Sequence, residues 1–321
     1  MKALITGCAG FIGSHLAESL LEDGHAVVGV DAFTDNYELQ RKLDNLERSR
    51  SWGAFDFFPL DVTRGLGRLV DGCDVIFHLA AEPGVRSSWG ARFDDYVRNN
   101  IGATKAVLQA ARAEGGMRVV YASSSSIYGQ AARFPTPEQA LPAPFSPYGM
   151  TKLAAEHLGW LYHHNFGLDV VALRYFSVYG PRQRPDMAFN IFCSQVLRGE
   201  PIVLYGGDQT RDFTYVGDIV RATRAAAESD AAVGLPINVG GGSRISLDDA
   251  VGVLREVTGR RVDVVRAGHQ DGDVRDTGAD ITLSRTVLGF KPSVGVREGL
   301  AAEWEWMAGE SLTRDRGVLA A

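Results

Sequence analysis

The sequence has little cysteine, no long hydrophobic run and no excess of positive charge. Its three cysteines, Cys8, Cys73 and Cys193, are scattered through 321 residues, so their spacing predicts neither a disulfide framework nor a metal site. No run approaches the ~18 apolar residues that span a membrane. Lysine and arginine number 33 against 39 acidic residues, for a formal net charge of -6, which indicates no nucleic-acid partner. Met1 leads into an apolar run without a signal-peptide pattern, so we expect a cytoplasmic protein with no membrane partner.

What the sequence does contain is a regular alternation of short apolar runs and helical stretches. The runs that we predict to be strands lie at 3–5, 25–31, 55–62, 75–81, 119–122 and 168–176. Strands that alternate with helices form a doubly wound parallel sheet, so the predicted fold class is α/β. We expect a first domain at residues 1–176 and a smaller, mixed α/β C-terminal substrate domain at 177–321, with the segment 217–245 packing back on the first.

A glycine-rich turn follows the first predicted strand. Gly7, Gly10 and Gly13 have the spacing Gly-x-x-Gly-x-x-Gly, with Phe11 and Ile12 between the last two. Glycines let the backbone approach a pyrophosphate, and the N-terminus of the following helix favours its charge. Strand, turn and helix together predict a dinucleotide site of the Rossmann type.

The choice of dinucleotide rests on Asp31, which ends the second predicted strand. A carboxylate at this position accepts both ribose hydroxyls of an adenosine and repels a 2′-phosphate, so we predict NAD rather than NADP. Asn100 is expected to brace the active-site backbone. Further cofactor contacts are predicted mainly where later strands end, at Asp61, Val62, Leu79, Ala80, Ala81, Asn100 and Tyr175.

A tyrosine and a lysine four residues apart begin a helical stretch. Tyr148 and Lys152 share a helix face, so the ammonium can lie beside the phenol, lower its pKa and make it a proton acceptor. Because a Tyr-x-x-x-Lys pattern arises often by chance, a pair of surface residues stays open as the alternative.

Two polar groups follow the middle strands. Ser124, Ser125 and Ser126 follow the fifth strand, so we predict that their hydroxyls enter the ligand crevice and contact the substrate. Glu82, just beyond the fourth strand, is either an acid–base group that contacts the substrate or a loop carboxylate paired with Arg86. Both interpretations of Glu82 stay open.

The second half of the chain supplies further substrate candidates. They are Ser177, Arg184, Arg211 and Arg275, together with Arg86 from the first half. The planar guanidinium fork suits phosphate oxygens. For Arg275 we favour the alternative of a solvated or structural arginine.

These motifs, in this order, resemble the extended short-chain dehydrogenases that act on nucleotide sugars. The motifs are Thr6-Gly7-x-x-Gly10-Phe11-Ile12-Gly13, Asp31, a serine-rich strand end with Tyr128-Gly129, Tyr148-x-x-x-Lys152 and Arg211-Asp212-Phe213. The resemblance implies that Tyr148 takes the sugar hydroxyl proton, that Lys152 holds the nicotinamide ribose and that Ser124 hydrogen-bonds the reacting hydroxyl. It also implies that Arg211 grips the diphosphate, that NAD is tightly bound and recycled, and that the protein is a homodimer with a UDP-linked substrate.

The reaction type depends on departures from the family pattern. Hexose 4,6-dehydratases usually carry an acid directly after the serine or threonine, where this chain has Ser125, so the serine run resembles an epimerase. Glu82 favours elimination, because a carboxylate beside a 4-keto sugar can remove the carbon 5 proton or help the carbon 6 hydroxyl leave. Ser177 and Gln270 indicate a specialised member.

The reaction expected is therefore transient oxidation at carbon 4 and 5,6-dehydration of a UDP-N-acetylhexosamine, with hydride returned to carbon 4. This resembles the hexosamine 5,6-dehydratase of the tunicamycin pathway, a lyase of antibiotic biosynthesis. The alternative is 4-epimerisation of a UDP-hexose or UDP-N-acetylhexosamine without elimination. A net oxidoreductase is disfavoured by Asp31, and an NAD-sensing regulator by the intact Tyr148 and Lys152.

Overall fold

The computed structural model describes residues 1–268 and 272–318. The strands are β1 Lys2–Thr6, β2 Ala26–Asp31, β3 Phe55–Pro59, β4 Val75–His78, β5 Arg118–Ser124, β6 Val170–Tyr175, β7 Val178–Tyr179, β8 Ile202–Tyr205, β9 Thr210–Asp212, β10 Thr214–Tyr215, β11 Pro236–Val239, β12 Arg244–Ser246 and β13 Val264–Ala267. The α-helices are α1 Phe11–Glu22, α2 Leu39–Glu47, α3 Phe93–Tyr96, α4 Ala103–Glu114, α5 Pro147–Phe166, α6 Ala188–Arg198, α7 Val216–Glu228, α8 Leu247–Thr258, α9 Thr282–Leu288 and α10 Val296–Val318.

Seven of these strands form one parallel sheet, in the order β3-β2-β1-β4-β5-β6-β11. The predicted α/β class and parallel sheet are confirmed. The sequence did not predict β11, which pairs with β6 from Ala172 to Tyr175. β11 lies inside the segment 217–245, which the sequence predicts to pack on the first domain. The domain boundaries themselves stay a prediction.

Successive residues of a strand point to opposite faces of the sheet. Both faces carry apolar side chains, and helices cover each of them. On one face, Ala3 and Ile5 of β1 share a buried core with residues of α1 and α7. On the other face, Leu4 shares a core with residues of α4. The sheet is therefore apolar on both sides, as expected for parallel strands, and ligands can reach it only at its ends.

Helix α5, which carries Tyr148, begins and ends at residues suited to those positions. The Ser146 hydroxyl accepts a hydrogen bond from the Gly149 backbone N–H at 3.1 Å, and Pro147 opens the first turn. Gly167 ends the helix in the left-handed region, with φ of 67°. Since α5 packs against α4 and β5, its first turn lies at the carboxyl edge of the sheet.

The C-terminal part of the chain builds a smaller core from α6, α8 and α10. Phe189, Phe192, Val251, Leu254 and Leu300 are buried in it. Two short strand pairs, β8 with β13 and β9 with β12, border this core. Within the described ranges, no helix has both the length and the apolar character needed to cross a membrane.

Candidate active site

The carboxyl ends of β1 to β6 border one cavity of about 420 Å³. This edge is where doubly wound sheets bind ligands. The residues predicted from the sequence that line the cavity are Gly7, Gly10, Phe11, Ile12, Gly13, Asp31, Asp61, Val62, Leu79, Ala80, Ala81, Ser124, Ser125, Ser126, Tyr148, Lys152, Tyr175, Ser177 and Arg184. The fold thus brings most of the candidates together, and their individual roles stay predictions.

The turn from β1 into α1 has no room for side chains at two of its glycines. Gly7 has φ of 72°, and a Cβ there would lie 2.8 Å from the Ala80 backbone nitrogen. A Cβ at Gly13 would lie 2.2 Å from the Gly7 carbonyl oxygen. Without these side chains, the helix N-terminus is open to an anionic group in the cavity. The turn therefore fits the pyrophosphate of a dinucleotide.

Asp31 ends β2 at the same cavity. Its Oδ2 accepts a hydrogen bond from the Ala9 backbone N–H at 3.1 Å, and its Oδ1 accepts one from the Phe33 backbone N–H at 2.9 Å. Burial raises the pKa of Asp31, and these bonds offset only part of the rise. The backbone bonds fix the orientation of the carboxylate, as recognition of the adenosine ribose requires.

Lys42 completes this end of the cavity and was not predicted from the sequence. Its side chain is buried, and its ammonium donates to the Thr34 carbonyl and, at 2.8 Å, to Asn36 Oδ1. Burial lowers the pKa of Lys42, with Asp31 opposing the shift. Lys42 belongs to the polar helix α2, where a solvated lysine is the ordinary expectation. Its burial depends on how residues 32–37 fold over it, and no local sequence pattern predicts that conformation.

Tyr148 and Ser124 meet across the cavity from α5 and β5. The Ser124 side chain hydrogen-bonds the Tyr148 phenol. The Lys152 ammonium donates to the Ala122 carbonyl at 2.8 Å and lies 5.9 Å from the centroid of the Tyr148 ring. The reacting hydroxyl of a substrate can therefore reach a hydroxyl, a phenol and an ammonium in one place.

The pKa of Tyr148 differs from the prediction. Burial raises it, and the hydrogen bond from Ser124 lowers it by less. Burial also lowers the pKa of Lys152 to about 7, and Arg184 adds to that shift. The net direction at Tyr148 is opposite to the predicted one, because the loss of solvation outweighs the lowering effects of Ser124 and Arg184.

Glu82 is buried and is not among the described residues that line the cavity, although one of its two partners, Asn99, is. Its Oε1 accepts from Arg92 at 2.8 Å, and its Oε2 accepts from Asn99 at 3.3 Å. Burial raises the pKa of Glu82, and Arg92 offsets part of the rise. One interpretation of the sequence is that Glu82 is a loop carboxylate paired with Arg86. That pairing is wrong, because Arg86 binds Asp273 at 2.7 Å instead.

Asn100 braces the backbone beside the cavity. Its Oδ1 accepts from the Glu82 backbone N–H at 2.6 Å, and its Nδ2 donates to the Glu82 carbonyl at 3.1 Å and to the Thr151 hydroxyl at 2.9 Å. It lies in a π-helical turn, Val97–Gly102, a feature that is frequent at functional sites. These hydrogen bonds hold the backbone at Glu82 in place, as expected. A direct contact between Asn100 and the cofactor stays a prediction.

Three of the predicted substrate arginines lie outside the cavity lining. Arg86 is held by Asp273, and Arg211 donates from Nη1 to the Arg275 carbonyl at 3.0 Å. The Arg275 side chain is 71% exposed, which fits the solvated alternative. Gln270, which we interpreted as a mark of a specialised member, lies outside the described residues.

Arg184 is the arginine that lines the cavity. It donates from Nε and from Nη2 to the two oxygens of Asp186, each at 3.0 Å. Burial acts to lower the pKa of Arg184, but the Asp186 carboxylate outweighs it and the pKa rises. A permanent cation thus stands in the same cavity as Tyr148 and the serines that follow β5.

Comparison with known proteins finds relatives along almost the whole chain. Residues 3–240 match the NAD dependent epimerase/dehydratase family. The uncharacterized UDP-glucose epimerase YtcB of Bacillus subtilis (strain 168) is 40% identical over 96% of this chain and 98% of its own. The UDP-glucuronate 4-epimerase of Thermodesulfobacterium geofontis (strain OPF15) is 37% identical over 94% of this chain and 95% of its own. The crystal structure of UDP-glucuronic acid 4-epimerase from Bacillus cereus, in complex with UDP-glucuronic acid and NAD, matches with a TM-score of 0.93 and 41% identity, over 97% of this chain and 100% of that one.

These comparisons confirm the cofactor and correct the reaction. NAD is the cofactor, as the glycine turn and Asp31 predicted. The predicted 5,6-dehydration is wrong. The tunicamycin 5,6-dehydratase TunA, with a TM-score of 0.86 over 96% of this chain and 98% of its own, is only 28% identical, below the epimerases named above. Three further expectations depended on that reaction and are not specifically supported: that the protein is a lyase, that its substrate is an N-acetylhexosamine and that it serves antibiotic biosynthesis.

The error has a physical reason. Epimerases and dehydratases of this kind share the first step, oxidation at carbon 4, so the motifs around Tyr148 do not separate them. Glu82 was the residue that favoured elimination. Its carboxylate is bound to Arg92 and Asn99.

Proposed function

Because the chain belongs to the NAD dependent epimerase/dehydratase family, we propose that it is a UDP-glucuronate 4-epimerase, which interconverts UDP-glucuronate and UDP-galacturonate. The observation that carries the proposal is the position of Arg184, a cation whose side chain is only 21% exposed, in the same cavity as Tyr148. The relatives named as UDP-glucuronate 4-epimerases support it.

Acid–base chemistry at carbon 4 falls to Tyr148. Its phenol, aligned by Ser124, would accept the proton of the 4-hydroxyl and later return it. NAD bound at the turn from β1 into α1 would supply the group that takes hydride from carbon 4 and later returns it. Lys152 would hold the nicotinamide ribose. Inversion requires the 4-ketone to present its other face, and the small side chains of Ala80 and Ala81 line the cavity where it would turn.

A uronic acid differs from a hexose by the carboxylate on carbon 5, next to the reacting carbon. Arg184 would meet this charge with Nη1, since its Nε and Nη2 already donate to Asp186. The hydroxyls of Ser125, Ser126 and Ser177 line the same cavity and would complete the set of donors. Hydrogen bonds between ionised partners are stronger than neutral ones, so the site should favour the uronate over the neutral hexose.

The proposal is tested by following UDP-glucuronate, UDP-glucose and UDP-N-acetylglucosamine with the protein by proton NMR. We expect a gluco/galacto mixture from UDP-glucuronate, with kcat/KM at least about tenfold above that for UDP-glucose, because a charged hydrogen bond contributes about 1.5–3 kcal/mol. Equal turnover of the first two sugars would contradict the uronate assignment. Failure to epimerise any of the three would contradict the epimerase assignment.

Arg184→Met separates recognition of the carboxylate from the chemistry. We expect the variant to lose about 10- to 100-fold in kcat/KM for UDP-glucuronate and much less for UDP-glucose. Arg261→Met is the matched control, because the Arg261 side chain is 89% exposed in the C-terminal part. Equal losses with both sugars would mean that Arg184 does not read the carboxylate.

The assembly that we propose is a homodimer formed through α5 and α4. Helix α5 leaves Trp160, Leu161 and Phe166 exposed on its surface. Apolar side chains clustered in this way on a helix face are typical of a protein interface.

A further inference from the structure

A buried ion pair joins the helix of Tyr148 to the middle of the sheet. Arg174 on β6 donates from Nη2 to Glu156 Oε1 at 2.5 Å and from Nε to Glu156 Oε2 at 3.1 Å. The two side chains are only 5% and 11% exposed, and neither is among the described residues that line the cavity. Burying two charges costs free energy that their attraction often fails to return. The pair therefore calls for an explanation other than stability.

Glu156 ties α5 to the strand that ends at Ser124. It lies eight residues, just over two turns, after Tyr148 on α5, so its side chain emerges about 80° around the helix from that of Tyr148. Its Oε2 also accepts a hydrogen bond from the Ser123 hydroxyl at 2.8 Å. Ser123 directly precedes Ser124 and faces Arg174 in the register of β5 with β6. The Glu156 carboxylate thus connects α5, which carries Tyr148, to Ser123, the residue before Ser124 on β5.

Arg174 holds the far end of the serine segment. Its Nη1 donates to the Tyr128 hydroxyl at 2.7 Å. Tyr128 closes the single 3₁₀ turn, Ser125–Tyr128, that follows Ser124. The ion pair therefore holds this segment on both sides, through Glu156 before Ser124 and through Arg174 after it.

We propose that Glu156 and Arg174 are positioning residues that set the separation between the Ser124 hydroxyl and the Tyr148 phenol. The proposal rests on the proposed function, in which both groups must reach the same sugar hydroxyl. They come from different elements, a strand end and a helix start, and the ion pair links those elements. A displacement of about 1 Å between reacting groups can cost on the order of 100-fold in rate.

A double variant separates positioning from stability. Glu156→Met with Arg174→Met removes both charges and keeps apolar volume, a replacement that is often neutral or stabilising. We expect Tm to be retained, kcat for UDP-glucuronate to fall about 10- to 100-fold, and KM to stay within about threefold because the cavity residues are unchanged. The matched control is Arg198→Met with Glu200→Met, an ion pair whose side chains are 57% and 52% exposed.

The pH profile gives a readout that a purely structural role would not move. The charged or titratable groups that face Tyr148 are Lys152 on its own helix, Tyr96 on α3, Tyr121 on β5, and Arg184 and Asp186 from the segment after β7. All of them remain in the double variant, whereas the Ser124 hydrogen bond that lowers the pKa of Tyr148 is loosened. We expect that pKa to rise, so the acid limb of the kcat/KM profile moves to higher pH.

An ultraviolet difference titration of the phenol in the NAD-bound protein tests positioning without any sugar, with Tyr148→Phe as the blank. A higher phenol pKa in the double variant supports the proposal. An unchanged titration overturns it, and so does unchanged kcat or a rise in KM alone. If the wild-type protein turns over no UDP-sugar, the proposed function fails while the titration still decides the positioning.

A second variant keeps the test decisive if the double variant does not fold. Arg174→Lys retains the charge but cannot donate to both Glu156 oxygens and to Tyr128 together. The phenol titration should shift in the same direction by a smaller amount. No shift in this variant would also overturn the proposal.

Discussion

At the scale of single residues, loss of solvation decides the charges around the reacting groups. Burial raises the pKa of Tyr148 and lowers that of Lys152 to about 7. The protein's own groups therefore favour a neutral phenol near neutral pH. The proton acceptance that we propose for Tyr148 would then depend on charge brought in with the ligands, so that its basicity would require an occupied cavity.

Tyr148→Phe tests the role of this phenol. We expect kcat for UDP-glucuronate to fall by at least about 100-fold, the usual worth of a general base. NAD should remain bound, because the glycine turn and Asp31 are untouched. Turnover by NMR and the NAD content of the purified protein measure the two effects. Tyr162→Phe, elsewhere on α5, is the control, and retained turnover in Tyr148→Phe would refute its assignment as the base.

The residues that the sequence could predict are those with a local pattern. Gly7, Gly13 and Asp31 follow predicted strands, so their place at the sheet edge follows from chain order alone. Lys42 and Glu82 have no such pattern. Lys42 is buried by a loop six to eight residues before it, and the direction of Glu82 is set by Arg92 and Asn99 from the next helical segment.

At the scale of elements, α10 is bonded to the turn that leads to Arg184. The buried Glu303 of α10 accepts a hydrogen bond from the Gly180 backbone N–H at 3.0 Å. Burial raises the pKa of Glu303 to about 8, and this hydrogen bond offsets only part of the rise. The carboxyl group therefore holds its proton in the folded protein at pH values where the unfolded chain has lost it.

Glu303→Gln tests this link through the pH dependence of stability. The folded state binds more protons than the unfolded state between the ordinary pKa of 4.5 and about 8, so the free energy of unfolding falls as pH rises through that window. Gln keeps an acceptor for Gly180 and does not ionise. We expect the Tm of the variant, relative to wild type, to be higher at about pH 9 than at about pH 5.

The control for this experiment is Glu305→Gln, an exposed residue of the same helix. Its Tm should follow the wild-type profile. Parallel profiles for Glu303→Gln and wild type would show that Glu303 does not carry the effect.

The elements themselves were predictable to different degrees. β1 to β6 are apolar runs, and Ser146, Pro147 and Gly167 mark the ends of α5 in the sequence. β11 is short, at four residues, and begins with a proline. It becomes a strand because β6 offers it a free edge, and that is a property of the assembled sheet rather than of its own sequence.

At the scale of the whole molecule, the exposed face of α5 predicts the assembly. Leu161 is 45% exposed, next to Trp160 at 50%. We expect wild type to sediment as a dimer in analytical ultracentrifugation and Leu161→Glu to sediment as a monomer, because a buried unpaired charge opposes association. Leu141→Glu, at an 85% exposed loop position, is the control. A monomeric wild type would contradict the prediction.

The position of β11 limits how this protein can be recombined. The chain leaves the sheet after β6, forms part of the cavity wall with Ser177 and Arg184, and returns to the sheet at β11. Replacing everything after residue 176 with the same region of a relative would exchange a strand of the sheet together with the proposed sugar contacts. Omitting β11 would leave β6 with an unpaired edge. The two halves are therefore not interchangeable cassettes, and a new substrate is better sought by exchanging short loops such as residues 180–187.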